Sequence, residues 1–111
     1  MLLDLEVVKK RARMWAEKNP LVRSLVIYGS YAKGNARPES DLDLAVDIWP
    51  ARRDSDSATT WMLSGTKWQR ELAALLEFPK VHLEWLDADG DDTPTVEAGV
   101  NESAIEVYRR R

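Results

Sequence analysis

The run DLDLAVDI, residues 41 to 48, constrains this chain more than any other stretch. Leu42, Leu44, Val46 and Ile48 alternate with Asp41, Asp43, Ala45 and Asp47, which is the two-residue period of a β-strand with one apolar face and one acidic face. The apolar face has to be covered by a second layer, so the strand calls for a sheet with helices packed on it. Aspartates two apart on one strand have their roots about 6 to 7 Å from each other on the same side. Aspartate is a poor strand former and like charges repel, so the pair costs stability unless water screens it or a cation lies between the carboxylates. A solvent-facing edge strand satisfies the first condition. Mg²⁺ satisfies the second, because it takes carboxylate oxygen and keeps substrate phosphates among its other ligands. Asp47 lies too far along the strand to join such a pair and reads as solvated.

The remaining elements follow from the same kind of periodicity. Leu5, Val8, Ala12, Trp15 and Ala16 recur at helical spacing over residues 3 to 18, and Asn19 and Pro20 end that helix. LVRSLVIY, 21 to 28, is a buried strand stopped by Gly29. SYAKGNARPES is a connector with one helical turn after Ser30. WPARRDSDSATT is a polar loop with helix caps at Asp56 or Ser57, after which Trp61, Gly65, Trp68, Leu72, Leu75 and Leu76 mark a long amphipathic helix that stops before Pro79. KVHLEWL, 80 to 86, is a third strand, and DADGDDTP is an acidic loop. The last segment, 95 to 111, reads as one or two short helices that pack Val96, Val100, Ile105 and Tyr108 on the core, with the three terminal arginines as a solvated tail. Trp15, Trp61 and Trp68 fall within helical patterns and read as core or interface. The expected fold is α+β, an α/β sandwich with a small mixed sheet flanked by helices.

At 111 residues the chain is the size of one domain spanning 1–111. Its net charge of −3 gives no broad attraction to nucleic acid or to an anionic membrane. It has no cysteine, which excludes disulfides and thiolate metal sites and fits a reducing compartment. No apolar run approaches the roughly 20 residues that span a bilayer, and the N-terminus reads as neither signal nor anchor. The expected location is the cytoplasm.

Gly29 and Ser30 add to the aspartates. A glycine after a strand lets the backbone approach a ligand closely, and Ser30 offers a hydroxyl and a free N–H at the start of a turn. Gly29 and Gly34 do not form a P-loop, since Asn35 and Ala36 stand where that motif needs Lys and Ser or Thr.

Taken whole, GSYAKGNARPESDLDLAV resembles the signature of the DNA polymerase beta-like nucleotidyltransferase superfamily, a Gly-Ser followed at this distance by Ser-Asp-x-Asp-Leu. The chain is similar to the minimal nucleotidyltransferase (MNT) branch of that superfamily. The signature covers residues 28 to 48, and Ala32, Gly34, Ala36, Arg37, Pro38 and Ser40 are also in place. The resemblance implies a nucleotidyltransferase fold and a Mg²⁺-dependent transfer of a nucleoside monophosphate, AMP from ATP as the expected case, to a hydroxyl. It implies Asp41 and Asp43 as ligands of two Mg²⁺ ions, and Gly29 and Ser30 as the turn that holds the triphosphate. Lys33 and Arg37 either approach the triphosphate or coat the loop.

The family's third carboxylate stands on a later strand, and here the sequence departs from it. His82 occupies the expected position, while Glu84 shares its face and is longer than Asp by one methylene. Glu84 is the preferred ligand because Mg²⁺ favours oxygen, with His82 as the alternative ligand or as a base. Minimal members often work beside a small helical HEPN-type protein as antitoxins, some by adding AMP to the toxin. Two other roles stay open. One is a catalytically weak or inactive module of the same fold that neutralises a partner by binding. The other is transfer to a small molecule such as an aminoglycoside, although those enzymes carry an additional domain.

Overall fold

In the computed structural model, which describes residues 3–88 and 90–110, each element begins and ends where the side chains can satisfy its backbone. The Asp4 carboxylate accepts the Glu6 amide at 3.0 Å and starts α1 (Leu5–Lys18), which buries Val8, Ala12, Trp15 and Ala16. β1 (Val22–Tyr28) runs into Gly29, and the single turn of α2 (Ser30–Lys33) closes on Gly34 at φ 79°. β2 (Leu42–Ile48) follows. Asp56 caps α3 (Ser57–Leu76) by accepting the Thr59 amide at 2.8 Å. β3 (Val81–Trp85), α4 (Pro94–Glu102) and β4 (Ala104–Arg109) complete the chain.

The four strands form one mixed sheet in the order β3-β2-β1-β4. β1 is antiparallel to β2 and β4, whereas β2 and β3 are parallel and α3 makes the crossover between them. One face of the sheet presents Leu25, Ile27, Leu42, Leu44, Val46, Val81 and Leu83 to α1 and α3, and these residues form the core with Val8, Trp15, Trp68 and Leu72. Trp15 and Trp68 meet edge to face with centroids 6.2 Å apart, and Trp61 lies 6.5 Å from Trp68. The Trp15 indole donates to the Glu71 carboxylate at 3.1 Å, which ties α1 to α3. The tryptophans of the helical patterns therefore belong to the core and its margin. Among the described residues no helix is long and apolar enough to cross a membrane.

Four expectations change. The C-terminal segment is a helix and then a strand: Ala104 to Arg109 pairs with β1, and Val107 enters the core at 7% exposure. An Ile-x-Val pattern flanked by a tyrosine suits a half-buried sheet edge better than a second helix. Val96 and Val100 are only half-buried on α4. Asp47 is not solvated, because a bulge in the β1–β2 register brings the Arg23 guanidinium within 2.7 Å of its carboxylate and leaves it 7% exposed. Arg109 and Arg110 are not a free tail either. Arg109 lies in β4, and Arg110 donates to the carbonyls of Ala16, Asn19 and Val22, holding the end of α1 against the start of β1. Arg111, and Asp89 of the acidic loop, lie outside the described residues. Leu75 stays 40% exposed, at the margin of the hollow between α1 and α3.

Candidate functional site

The second face of the sheet carries the polar residues, and they gather where β1 ends and β2 begins. Asp43 pairs in register with Tyr28 on one side and with His82 on the other. Asp41 lies just ahead of β2, in a loop fixed by the Arg37 amide to the Ser40 hydroxyl at 2.8 Å and by the Leu42 amide to the Lys80 carbonyl at 2.9 Å. The two aspartates and His82 thus share one patch, with His82 Nδ1 3.6 Å from the Asp41 carboxylate and 3.9 Å from that of Asp43.

Gly29 explains how tightly this patch is built. Its φ of 74° and ψ of −149° belong to a region that essentially only glycine occupies. A Cβ at that position would lie 2.5 Å from Oδ2 of Asp43, so the carboxylate sits in the space where any other residue would carry its side chain. The turn of α2 that follows is held by the Lys33 amide to the Gly29 carbonyl at 3.0 Å and the Asn35 amide to the Ser30 carbonyl at 3.1 Å. The chain folds this way because Gly29 and Gly34 supply positive φ at both ends of a four-residue turn.

The electrostatics follow from that packing. Burial pushes the Asp43 pKa up, His82 pulls it back, and the charges of Asp41 and Glu84 push it up further. The Tyr28 hydroxyl is raised to about 12, by burial first and then by Asp43 and Glu84. In both groups burial is the leading cause, and the neighbouring carboxylates add to it.

Glu84 shares the face but pairs with Ala45, two residues further along the register than His82, and its side chain is exposed. The structure therefore sets His82 directly beside the two aspartates and Glu84 beyond it. Lys33 is engaged by Glu102 of α4 at 2.8 Å, while Arg37 is exposed. Tyr28 and Glu102 did not stand out in the sequence. Tyr28 could have been found from its place immediately before Gly29, but nothing in the spacing links Glu102 to Lys33 across 69 residues.

The patch suits a hard divalent cation. Two carboxylates lie on one face, one of them has its pKa raised by burial first and by its acidic neighbours after that, and a bound cation would favour its charged form against both. Among the described residues no group of three His, Cys, Asp or Glu side chains can hold an ion by itself. That donor set fits an ion such as Mg²⁺, which binds through one or two carboxylates and fills its remaining positions with water and phosphate.

A mixed sheet with a Gly-Ser turn beside two carboxylates, one at the start of β2 and one just ahead of it, is the arrangement of a nucleotidyltransferase. The chain belongs to the polymerase beta nucleotidyltransferase family, whose model matches residues 10–81. Among curated proteins none matches the sequence. Solved structures with a similar fold include a toxin–antitoxin with AMP-PNP, at a TM-score of 0.63 and 19% identity over 93% of this chain and 74% of that one. A second is the complex of a tri-AMPylated Shewanella oneidensis HEPN toxin with its MNT antitoxin, at 0.61 and 17% identity over 96% and 74%. A third is a nucleotidyltransferase from Sulfolobus solfataricus, at 0.53 and 15% identity over 96% and 80%.

Proposed function

We propose that this nucleotidyltransferase moves AMP from ATP onto a hydroxyl of a partner protein, a small helical HEPN-type toxin, and acts in the cytoplasm as the antitoxin of that pair. The observation that carries the reading is the Asp43 carboxylate seated over Gly29, which joins the phosphate-approach turn and the metal-binding face into one site. Similar folds occur in an MNT antitoxin bound to a tri-AMPylated HEPN toxin and in a toxin–antitoxin with AMP-PNP, which supports both the transferred group and the class of acceptor.

In this mechanism the Gly29–Ser30 backbone and the Ser30 hydroxyl hold the β- and γ-phosphates, and Gly29 lets them come close. Asp41 and Asp43 would hold Mg²⁺, which supplies neutralisation of the triphosphate and a lowered pKa for the attacking hydroxyl. The acceptor oxygen forms its bond to the α-phosphorus, the bond from that phosphorus to the bridging oxygen breaks, and pyrophosphate leaves. The hydroxyl proton passes to His82, which stands within 4 Å of both aspartates, or to Glu84 two residues further on. The Lys33–Glu102 pair fixes α4 against the phosphate turn. Positioning and electrostatics account for the rest of the rate.

The imidazole at the place of the third acid also favours a second reading, in which the fold neutralises its partner by binding alone. Calorimetric titration of ATP with and without Mg²⁺, beside Asp43→Asn, tests the first reading. Metal-dependent binding that disappears in the variant supports transfer, and absence of binding in a folded wild-type protein refutes it. Neutralisation of a co-expressed toxin that survives Asp43→Asn would establish the second.

A further inference from the structure

A groove of about 910 Å³ runs between α1 and β4, away from the acidic patch. Its wall on one side is the face of α1 that carries Glu6, Lys9, Lys10 and Arg13, at helical spacing. Its other wall is every residue of the chain from Glu106 to Arg110. Successive side chains of a strand point to opposite faces, so a cavity that touches five in a row must lie along the strand's edge, where unpaired N–H and C=O groups point outward. β4 is the last strand of the sheet, with β1 on its inner side, so its outer side is that edge.

The charge of the groove differs from that of the chain as a whole, which is −3. Lys9, Lys10, Arg13, Arg109 and Arg110 outnumber Glu6 and Glu106. Lys9 and Arg109 already face Glu6 and Glu106 at 3.7 Å and 2.6 Å, and Arg13 faces Glu17 at 3.0 Å. Lys10 makes no ion pair among the described residues, and it is exposed. Half-neutralised cations of this kind suit a few carboxylates better than a continuous phosphate backbone, whose affinity needs many unpaired ones. The stretch from Glu106 to Arg110 is roughly 13 Å long, which holds about five residues of extended chain.

We propose that this groove docks an extended acidic segment of a partner protein, which adds to β4 as a fifth strand and sets its carboxylates against Lys10 and Arg13. Main-chain hydrogen bonds to the free edge supply affinity, and the cations select the sequence. Ser24 of β1 pairs with Arg109 and Val26 with Glu106, whereas Tyr28 pairs with Asp43, so the near end of the docking edge stops about two residues of strand, roughly 7 Å, short of the level of the acidic patch and lies on the strand beyond β1 from Asp43. A segment held there would raise the local concentration of whatever the same partner presents to that patch. The docking itself does not depend on the nucleotide chemistry.

The test is fluorescence anisotropy of a labelled peptide of alternating Glu and Val, about seven residues long. Beside it stand the same peptide N-methylated at alternate amides and a labelled oligouridylate of equal length. The expected result is binding of the first peptide that weakens as salt rises, and that falls about tenfold both on N-methylation and in the double variant Lys10→Glu with Arg13→Glu. Both substitutions are on exposed helical positions, and an unchanged circular dichroism spectrum and melting temperature verify the fold. Tighter binding of the oligonucleotide, equal binding of the two peptides, or no binding of the first peptide at low salt would each overturn the proposal.

Discussion

Substituting Gly29 by alanine should separate two costs that meet at one atom. The first is conformational: at φ 74° and ψ −149° a residue with a Cβ is strained by about 1 to 3 kcal/mol. The second is the overlap of that Cβ with Oδ2 of Asp43, at 2.5 Å against the roughly 3.5 Å of an unstrained carbon contact. Asp43 is part of a strand and pairs with both neighbours, so its carboxylate can leave only by changing rotamer, at about 0.5 to 1.5 kcal/mol. The sum is about 3 kcal/mol, which for a domain near this size lowers the melting temperature by roughly 12 to 24 °C. A double-mutant cycle in urea divides the terms. With Asp43→Ala the obstacle is gone and only the strain remains, so Gly29→Ala should cost about 1 kcal/mol less in that background than in the wild type. Equal cost in both backgrounds would show that the carboxylate does not occupy the space over Gly29, and the site as described would fail with it.

Asp43→Asn should raise the melting temperature of the metal-free protein, because it removes a partly buried charge that Asp41 and Glu84 disfavour; a lower melting temperature would contradict that account. In the wild type, added Mg²⁺ should stabilise the fold, and in the variant it should not, as thermal melts with and without chelator will show. Glu77 closes α3 at φ 53°, so Glu77→Gly should stabilise by about 0.5 to 1 kcal/mol in urea, the relief of left-handed strain exceeding the loss of an exposed contact to Arg11 at 3.7 Å. Asp47→Ala removes the charge-assisted hydrogen bond that Arg23 donates to this carboxylate at 2.7 Å and should cost about 2 kcal/mol by the same measurement. The Asp56 pKa is lowered chiefly by the Thr59 amide, so its contribution is complete above the ordinary aspartate pKa and is lost as pH falls through the lowered one. Asp56→Asn, which caps without titrating, should therefore lose less stability than the wild type on acidification below about pH 4.

What the sequence revealed and what it hid divide along the range of the interactions. β2 was legible because its alternation is a local property of the chain, and α1 and α3 because an apolar stripe and a cap lie within a few residues of each other. Gly29, Ser30, Asp41 and Asp43 were legible as a group for a related reason: all lie on two neighbouring strands and the connector between them, so spacing along the chain maps onto spacing in the fold. The fate of Asp47 was not legible, since on an alternating strand it looked like its neighbours Asp41 and Asp43. Only the register shift between Val22 and Ser24 brings Arg23 to it, and register is a property of two strands. β4 was mistaken for a helix because a six-residue segment after a helix carries too few periods to separate 2 from 3.6, and its strand state is decided by the free edge of β1. Arg110 shows the same limit more sharply. The middle residue of a terminal run of three arginines has every local mark of a solvated tail, yet three carbonyls near the α1–β1 junction claim it. The identity of the third polar group at the acidic patch belongs to this second class. His82 and Glu84 lie on the same face of β3, and only the parallel register with β2, which puts His82 and not Glu84 opposite Asp43, separates them.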